Sequence, residues 1–355
     1  MADDVFRKLQ QRLDQYSLGF PATDSGIELE ILKSLFTPED ARMFLHLTPR
    51  LEAPAAVADR IGRPPDEVAE QLNRMYTKGL VFRLKKGDTV KYGAIPFVHG
   101  LFEFQVKNLD PSMAERVEAY MEERFHEAIA TAAPAFLRTI PVQRTIPVTH
   151  QVAAYEDAAE ILRKAGKIVV TDCICRKQKQ LVGRGCDKPL EACFMFGSMG
   201  QYYLDREMGR EIDVDEAVRI LTEAQEAGLV TQPATAQNPG GMCNCCGDCC
   251  GVLSALNRHP KPAEVVFSNH FAEVDRDLCS GCETCLDRCQ MGAVTMDADG
   301  AAAINLDRCI GCGLCATTCP EEAITLTPKP ETQRRVPPAS TAEQMAYMAK
   351  IRGIR

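Results

Sequence analysis

Cys279-Ser-Gly-Cys282-Glu-Thr-Cys285-Leu-Asp-Arg-Cys289 is answered thirty residues later by Cys309-Ile-Gly-Cys312-Gly-Leu-Cys315-Ala-Thr-Thr-Cys319-Pro320. One spacing, C-x2-C-x2-C-x3-C, is therefore written twice. The repeat extends past the cysteines: Asp277 pairs with Asp307, Gly281 with Gly311, Ala293 with Ala323, Val294 with Ile324 and Thr295 with Thr325. An internal repeat of this length means two copies of one small folding unit. The thiols are its most regular feature.

Three thiolates within seven residues let a backbone curl round one face of a cube, and this run wraps a cubane [4Fe–4S] cluster. The fourth cysteine of each run ligates the other half's cluster. Cys279, Cys282, Cys285 and Cys319 are thus expected to hold one cluster, and Cys309, Cys312, Cys315 and Cys289 the second. Gly281, Gly311 and Gly313 suit a backbone that must approach closely and turn through positive φ. No aromatic residue lies between Phe271 and the end of the second copy, so the clusters must supply much of the core and the segment should unfold without iron. Structural zinc takes separate C-x2-C pairs that close a tetrahedron, which is a different pattern. Residues 265–328 resemble the bacterial-type two-cluster ferredoxins. The resemblance covers under a fifth of the chain. One departure is Gln290 after Cys289, where that family often has proline.

Nine further cysteines fall in two groups: Cys173, Cys175, Cys186 and Cys193, then Cys243, Cys245, Cys246, Cys249 and Cys250. Five cysteines in eight residues are too many for small buried hydrophobes. We expect one or two further iron–sulfur clusters here, with zinc in one site as the competing reading. The arrangement resembles a cysteine-rich region beside ferredoxin domains in iron–sulfur proteins of anaerobes, which implies metal ligands and no particular reaction. Sequence does not assign these thiols to individual centres. Arg176, next to Cys175, is positioned to hydrogen-bond a cluster or to pair with an acidic neighbour.

Ahead of these segments, helical periodicity begins with a short amphipathic helix (Val5, Leu9, Leu13) and resumes at Leu29. Pro54 opens a helix that Gly62 ends, and Pro65 opens another carrying Val68, Leu72 and Met75 on one face. A hairpin around Lys86-Gly87-Asp88 follows. Residues 24–97 resemble a winged-helix domain. Asp24 to Ile95 holds eleven acidic and eleven basic residues, and Asp66, Glu67 and Glu70 crowd the helix that would enter a groove. DNA affinity comes largely from phosphate neutralisation, so protein docking is favoured and nucleic acid is not the expected partner. A helix is expected over 111–131, another near Gln151–Lys164, and a capping box at Asp213 and Glu216. The segment Arg138-Thr-Ile-Pro-Val recurs as Arg144-Thr-Ile-Pro-Val. Residues 327–355 carry a net charge of +4 and four prolines, suiting an extended arm with a terminal helix.

The chain has 355 residues and a net charge of −8, of which −7 lies between Glu264 and Lys329. That acidic module should dock on a basic surface of a redox partner. No leader-like N-terminal stretch and no run of eighteen apolar residues occurs, so a reducing, cytoplasmic and anaerobic setting is expected. No G-x-G-x-x-G after a strand, P-loop, C-x2-C-H or nucleophile–base pair is present, and no catalytic residue can be named. The expected fold is α+β and multidomain: a winged-helix-like domain (1–97), a helical connector (98–148), a cysteine-rich cluster domain (149–263), a two-cluster ferredoxin domain (264–328) and a tail (329–355). The expected function is relay of single electrons to or from a partner oxidoreductase, as a complex subunit or adaptor. Two alternatives stand: a cluster-based redox-sensing transcriptional regulator, and a reductase whose middle domain holds a cluster with an open iron site.

Overall fold

The computed structural model describes residues 2–146 and 153–354. The N-terminal part is helical: α1 (Ala2–Leu13), α2 (Ile27–Leu35), α3 (Pro38–Leu45), α4 (Pro54–Ile61) and α5 (Pro65–Thr77) precede the antiparallel hairpin β1 (Phe82–Lys86) and β2 (Thr89–Gly93). Proline opens three of these helices because a first-turn N–H has no intrahelical partner to lose. Gly62 ends α4 in the left-handed region at φ 67°. The hairpin and α5 rest on a later helix, α10 (Gly197–Asp205). There Phe82 stacks on Tyr202, the Tyr202 hydroxyl donates to the Val81 carbonyl, and Arg83 pairs with Asp205 at 3.1 Å.

The helix expected over 111–131 is longer than its periodicity suggested, and it is interrupted. α6 (Pro111–Tyr120) passes through one wide turn at Met121–Phe125 into α7 (His126–Phe136). Pro134 lies inside α7 rather than in a linker, close enough to its end for few helical bonds to be lost. The helix expected near Gln151–Lys164 is shorter: α8 (Ala158–Lys164) starts at Asp157, whose carboxylate accepts from the Ala159 and Glu160 amides. Gln151 itself, and Pro147 and Val148 of the second Arg-Thr-Ile-Pro-Val copy, lie outside the described residues.

A five-stranded antiparallel sheet organises the middle of the chain. Its strands β3 (Ile168–Asp172), β4 (Glu191–Phe196), β5 (Arg210–Ile212), β6 (Val230–Pro233) and β7 (Gly241–Cys245) lie in the order β5-β3-β4-β7-β6. Helices α9 (Ile174–Leu181), α10 (Gly197–Asp205), α11 (Val214–Glu226) and α12 (Gly251–Arg258) interleave with them. Asp213 caps α11 by accepting from the Glu216 amide at 2.8 Å, one half of the expected capping box. Strand alternation sends Ile168, Val170, Phe194, Phe196 and Met242 to one face, where α8 and α11 cover them. The opposite face carries thiols.

The C-terminal segment follows α13 (Pro262–Val265). It contains β8 (His270–Val274), α14 (Thr284–Arg288), β9 (Val294–Met296), β10 (Ala302–Ile304) and β11 (Ile324–Pro328). β8 pairs with β11 and β9 with β10, so each two-stranded sheet takes one strand from each repeat. The last helix, α15 (Thr341–Ile351), packs on α7: buried Gln344 donates to the carbonyls of Ala135 and Phe136, and Arg352 pairs with Asp14. The first Arg-Thr-Ile-Pro-Val copy is a seam. Thr139 and Ile140 bond to Phe267 and Thr231, and Val142 donates to the Cys312 carbonyl at 3.1 Å. Arg138 is fully buried; its Nη1 and Nη2 donate to the carbonyls of Ala234, Ala236 and Tyr155, while Nε has no partner. None of the helices is long and apolar enough to cross a membrane among the described residues.

Candidate metal centres

The thirty-residue repeat survives as an approximate two-fold in the C-terminal segment. The Ala272 amide donates to Cys309 Sγ at 3.4 Å, and its counterpart Ala302 donates to Cys279 Sγ at 3.4 Å. Gly281 and Gly311 both sit at φ 67°, each with its α-carbon against a main-chain carbonyl of the other half: Gly300 for the first, His270 for the second. A side chain at Gly281 would meet the Gly300 oxygen at 2.6 Å, so both conformation and space demand glycine. Cys279, Cys282 and Cys319 are the charged neighbours of Cys285, while Cys289, Cys309, Cys312 and Cys315 line one cavity. These are the two crossed sets of four read from the spacing. Burial pushes the Cys312 thiol up to about 12, so thiolate there needs a cation to balance it. Cys282, by contrast, is solvent-exposed.

The middle cysteines separate into two groups by strand parity and helix position. In β7, Cys243 and Cys245 are two residues apart and share a face with Cys193 of β4. Cys173 is the N-cap of α9, with Cys175 in its first turn, and Cys250 is the N-cap of α12. These six thiols close a ring in the order Cys173, Cys175, Cys250, Cys245, Cys243, Cys193, each a close electrostatic neighbour of the next. The two N-cap thiols also receive helix amides: Arg176 N–H points at Cys173 and Leu253 N–H at Cys250. Hydrogen bonds from neighbouring thiols, aided by those amides, hold Cys173 and Cys250 well below the usual thiol range.

The ring opens on a largely apolar cavity roofed by the 98–137 segment, including Val98, Phe102, Met121, Ile129 and Phe136. Two polar residues on that roof were not legible in the sequence. His99 sits in the left-handed region (φ 56°, ψ 42°) inside an irregular turn, and its ring faces Cys243 and lies 4.4 Å from the Phe136 ring. Glu103 accepts from the Gly100 amide at 3.0 Å, and burial lifts its carboxyl to about 7. Only the left-handed backbone at His99, invisible in the residue pattern, turns this histidine inward. Held strain of that kind clusters at functional sites.

Cys246, one residue beyond Cys245, is sent by alternation to the other side. There it meets Cys249 and Cys186, with Cys186 Sγ and Cys246 Sγ 3.8 Å apart. Arg176 lies between the two groups, fully buried. Its Nη1 donates to the Asn244 carbonyl at 3.0 Å and reaches Cys246 Sγ at 3.9 Å, while Nε and Nη2 have no partner. Its thiol neighbours are Cys173, Cys193 and Cys246. A buried guanidinium with two idle donors beside thiols fits thiolates charged by metal ligation, and it fits neutral thiols badly. Soft thiolate donors suit zinc and iron–sulfur centres alike.

The two modules meet along a polar seam in which Arg288 donates to the Gln225 carbonyl at 2.7 Å, Arg308 reaches Asn257 at 3.3 Å, and Gln290 makes two contacts. Gln290 Oε1 accepts from the Gly247 amide at 2.7 Å, and the Gln290 carbonyl accepts from Asn257 Nδ2 at 2.9 Å. The departure from proline after Cys289 thus places a side chain that the docked loop uses. Residues 272–326 match the family model described as a 4Fe-4S dicluster domain. No curated protein and no solved structure matches the chain. Residues 272–326 are therefore an iron–sulfur, ferredoxin-like domain, and the chemistry this chain carries is iron–sulfur electron transfer.

Proposed function

We propose that this protein relays single electrons between a partner oxidoreductase and a centre held by the six-thiol ring, as a subunit or dedicated adaptor. A [4Fe–4S] cluster, when bound, takes up and gives back one electron without proton chemistry. The observation that carries the reading is the Gln290 junction, which joins the ferredoxin-like segment at Cys289 to the loop between Cys246 and Cys249. It puts the inner cysteine set against the thiol-rich sheet, while the outer set opens to solvent at Cys282.

The outer end has the surface a partner needs. Asp275, Asp277, Glu283 and Asp287 are exposed round Cys282, and Leu278 beside Cys279 is 53% exposed. An acidic rim round an apolar contact suits a basic docking face, with electrostatics setting the encounter rate. We read the inner set as Cys289, Cys309, Cys312 and Cys315 and the outer set as Cys279, Cys282, Cys285 and Cys319. Residues 24–97, read as winged-helix-like, serve in this view as an internal dock. Arg83, a wing cation, is spent on Asp205 and lies 3.7 Å over the Tyr76 ring, which disfavours the DNA-binding alternative.

The test is anaerobic purification of the full chain, with iron, acid-labile sulfide and spin counting by electron paramagnetic resonance. We expect more iron than two cubanes account for, and reduction of all centres by a one-electron donor. Iron equal to two cubanes, with no further paramagnetic centre, would remove the six-thiol ring from the relay.

A further inference from the structure

We propose that Cys186, Cys246, Cys249 and Asp248 form a separate mononuclear site for one tetrahedral zinc ion, distinct from the iron–sulfur centres and built into the loop on which the ferredoxin-like segment docks. Their ligand atoms all lie within 4.8 Å of one another. Among the described residues no other group of three or more His, Cys, Asp or Glu ligand atoms is that compact. The contrast with the rest of the chain is the argument. The eight cysteines of the dicluster segment, and the six of the ring, hold their thiols further apart as threes. That is the spacing a multi-iron core needs, because each thiolate there binds a different iron. A single zinc ion draws all its ligands onto one point. With Zn–S near 2.3 Å, a tetrahedral edge is about 3.8 Å. The Cys186–Cys246 sulfur separation is 3.8 Å.

The local chain is built for this. Cys246-Gly247-Asp248-Cys249 is a C-x2-C turn that presents two sulfurs to one point, and Cys186 arrives from the loop between α9 and β4. Main-chain amides point at the sulfurs, that of Lys188 at Cys186 and that of Cys186 at Cys249. Such donors orient and stabilise metal-bound thiolate. Three thiolates and one carboxylate round a divalent ion carry a net double negative charge. The fully buried Arg176, with two idle donors and Nη1 aimed at Cys246 Sγ, supplies one balancing positive charge. Asp248 is exposed, so the fourth position is the labile one. Because Gly247 donates to Gln290, the ion would fix the loop that receives the dicluster segment.

The experiment uses the full chain purified anaerobically from cells supplied with both zinc and iron. Metal analysis should return about one zinc per chain beside the full iron and sulfide content. Growth on cobalt should give the intense thiolate-to-cobalt absorption of a tetrahedral site. Asp248→Asn, at an exposed position that leaves the fold intact, should lower zinc retention against a chelator at least tenfold with iron unchanged. Cys186→Ser should abolish zinc and, again, leave iron and sulfide unchanged. Zinc below a tenth of an equivalent in the wild type, mononuclear high-spin iron in its place, or iron lost in step with zinc in either variant would each overturn the assignment. The iron and spin counts decide the electron-relay reading separately.

Discussion

Gln290 and Arg176 show how much a single side chain decides when two cofactor-binding modules meet. Replacing Gln290 by alanine deletes the acceptor for the Gly247 amide and leaves the main-chain bond to Asn257 in place. The loss is on the order of 1 kcal/mol, too small to unfold either side but enough to loosen the junction. Gln290→Ala should therefore keep the wild-type iron content and slow the re-equilibration of electrons between the two halves after flash reduction. Freeze-quench paramagnetic resonance reads that rate, and an unchanged rate would mean the junction is only mechanical. Arg176→Met tests a different property. The guanidinium favours the more negative, reduced state of whatever its thiol neighbours hold, so its removal should lower the potential of the middle centre. One charge-assisted hydrogen bond is worth about 1.5–3 kcal/mol. For a one-electron couple that is on the order of 60–130 mV, readable in an anaerobic redox titration. The dicluster potentials should stay put.

At the scale of elements, the partition of the middle thiols follows from secondary structure that the sequence only half displays. Cys243-Asn-Cys245 on a strand puts two sulfurs on one face, and the next residue, Cys246, must face away. That rule was available, but whether residues 241–245 form a strand was not, because Gly240-Gly241 and five cysteines carry no β signature. The capping sites were clearer: Asp213, Pro54 and Pro65 announce helices within a residue or two of where they occur. The wide turn at Met121–Phe125 and the left-handed His99 were not announced, since tertiary packing overrides local preference at both. Packing also sets the strength of the tie between α6 and α9. Glu118 on α6 receives Lys179 at 2.6 Å, Arg184 at 3.0 Å and Gln178 at 3.1 Å, with its side chain only 11% exposed. Burial opposes its ionisation, but the hydrogen bonds from Lys179 and Gln178 outweigh it and hold the carboxyl below its ordinary value of 4.5. A lowered carboxyl stabilises the fold fully above the unfolded value, and the contribution is lost as pH falls through the lower native value. Glu118→Gln should therefore cost on the order of 1–3 kcal/mol at neutral pH. The cost should shrink towards zero as denaturation is repeated at pH values falling below 4.5. A penalty that stays constant through that window would show that shape, not charge, is what Glu118 supplies.

The whole molecule divides by what fills its cores. The N-terminal half packs rings: Phe20 lies 4.4 Å from Phe97 and Tyr120 lies 5.2 Å from Phe125, all fully buried. Residues 272–326 contain no aromatic ring. Their buried side chains are small or aliphatic, among them Ala272, Ala293, Ile310, Leu314 and Leu326, together with the thiols of Cys285, Cys309 and Cys315. Apolar burial of about 25 cal/mol per Å² from so few carbon atoms cannot offset the backbone entropy of ordering such a segment, roughly 1–2 kcal/mol per residue. Metal ligation must supply the difference. Anaerobic chelation of iron should therefore leave the helices over 27–136 protected in hydrogen exchange while amides over 272–326 exchange fully. Heating the intact protein should give iron release together with loss of the dicluster segment, separate from a later transition of the aromatic core. The seam through Arg138–Val142, which bonds both the sheet and the Cys312 carbonyl, should lose protection with the dicluster segment at Val142 and keep it at Ile140. Uniform protection of 272–326 after complete iron removal would mean that packing alone holds this segment, and the dependence of its fold on bound metal would have to be abandoned.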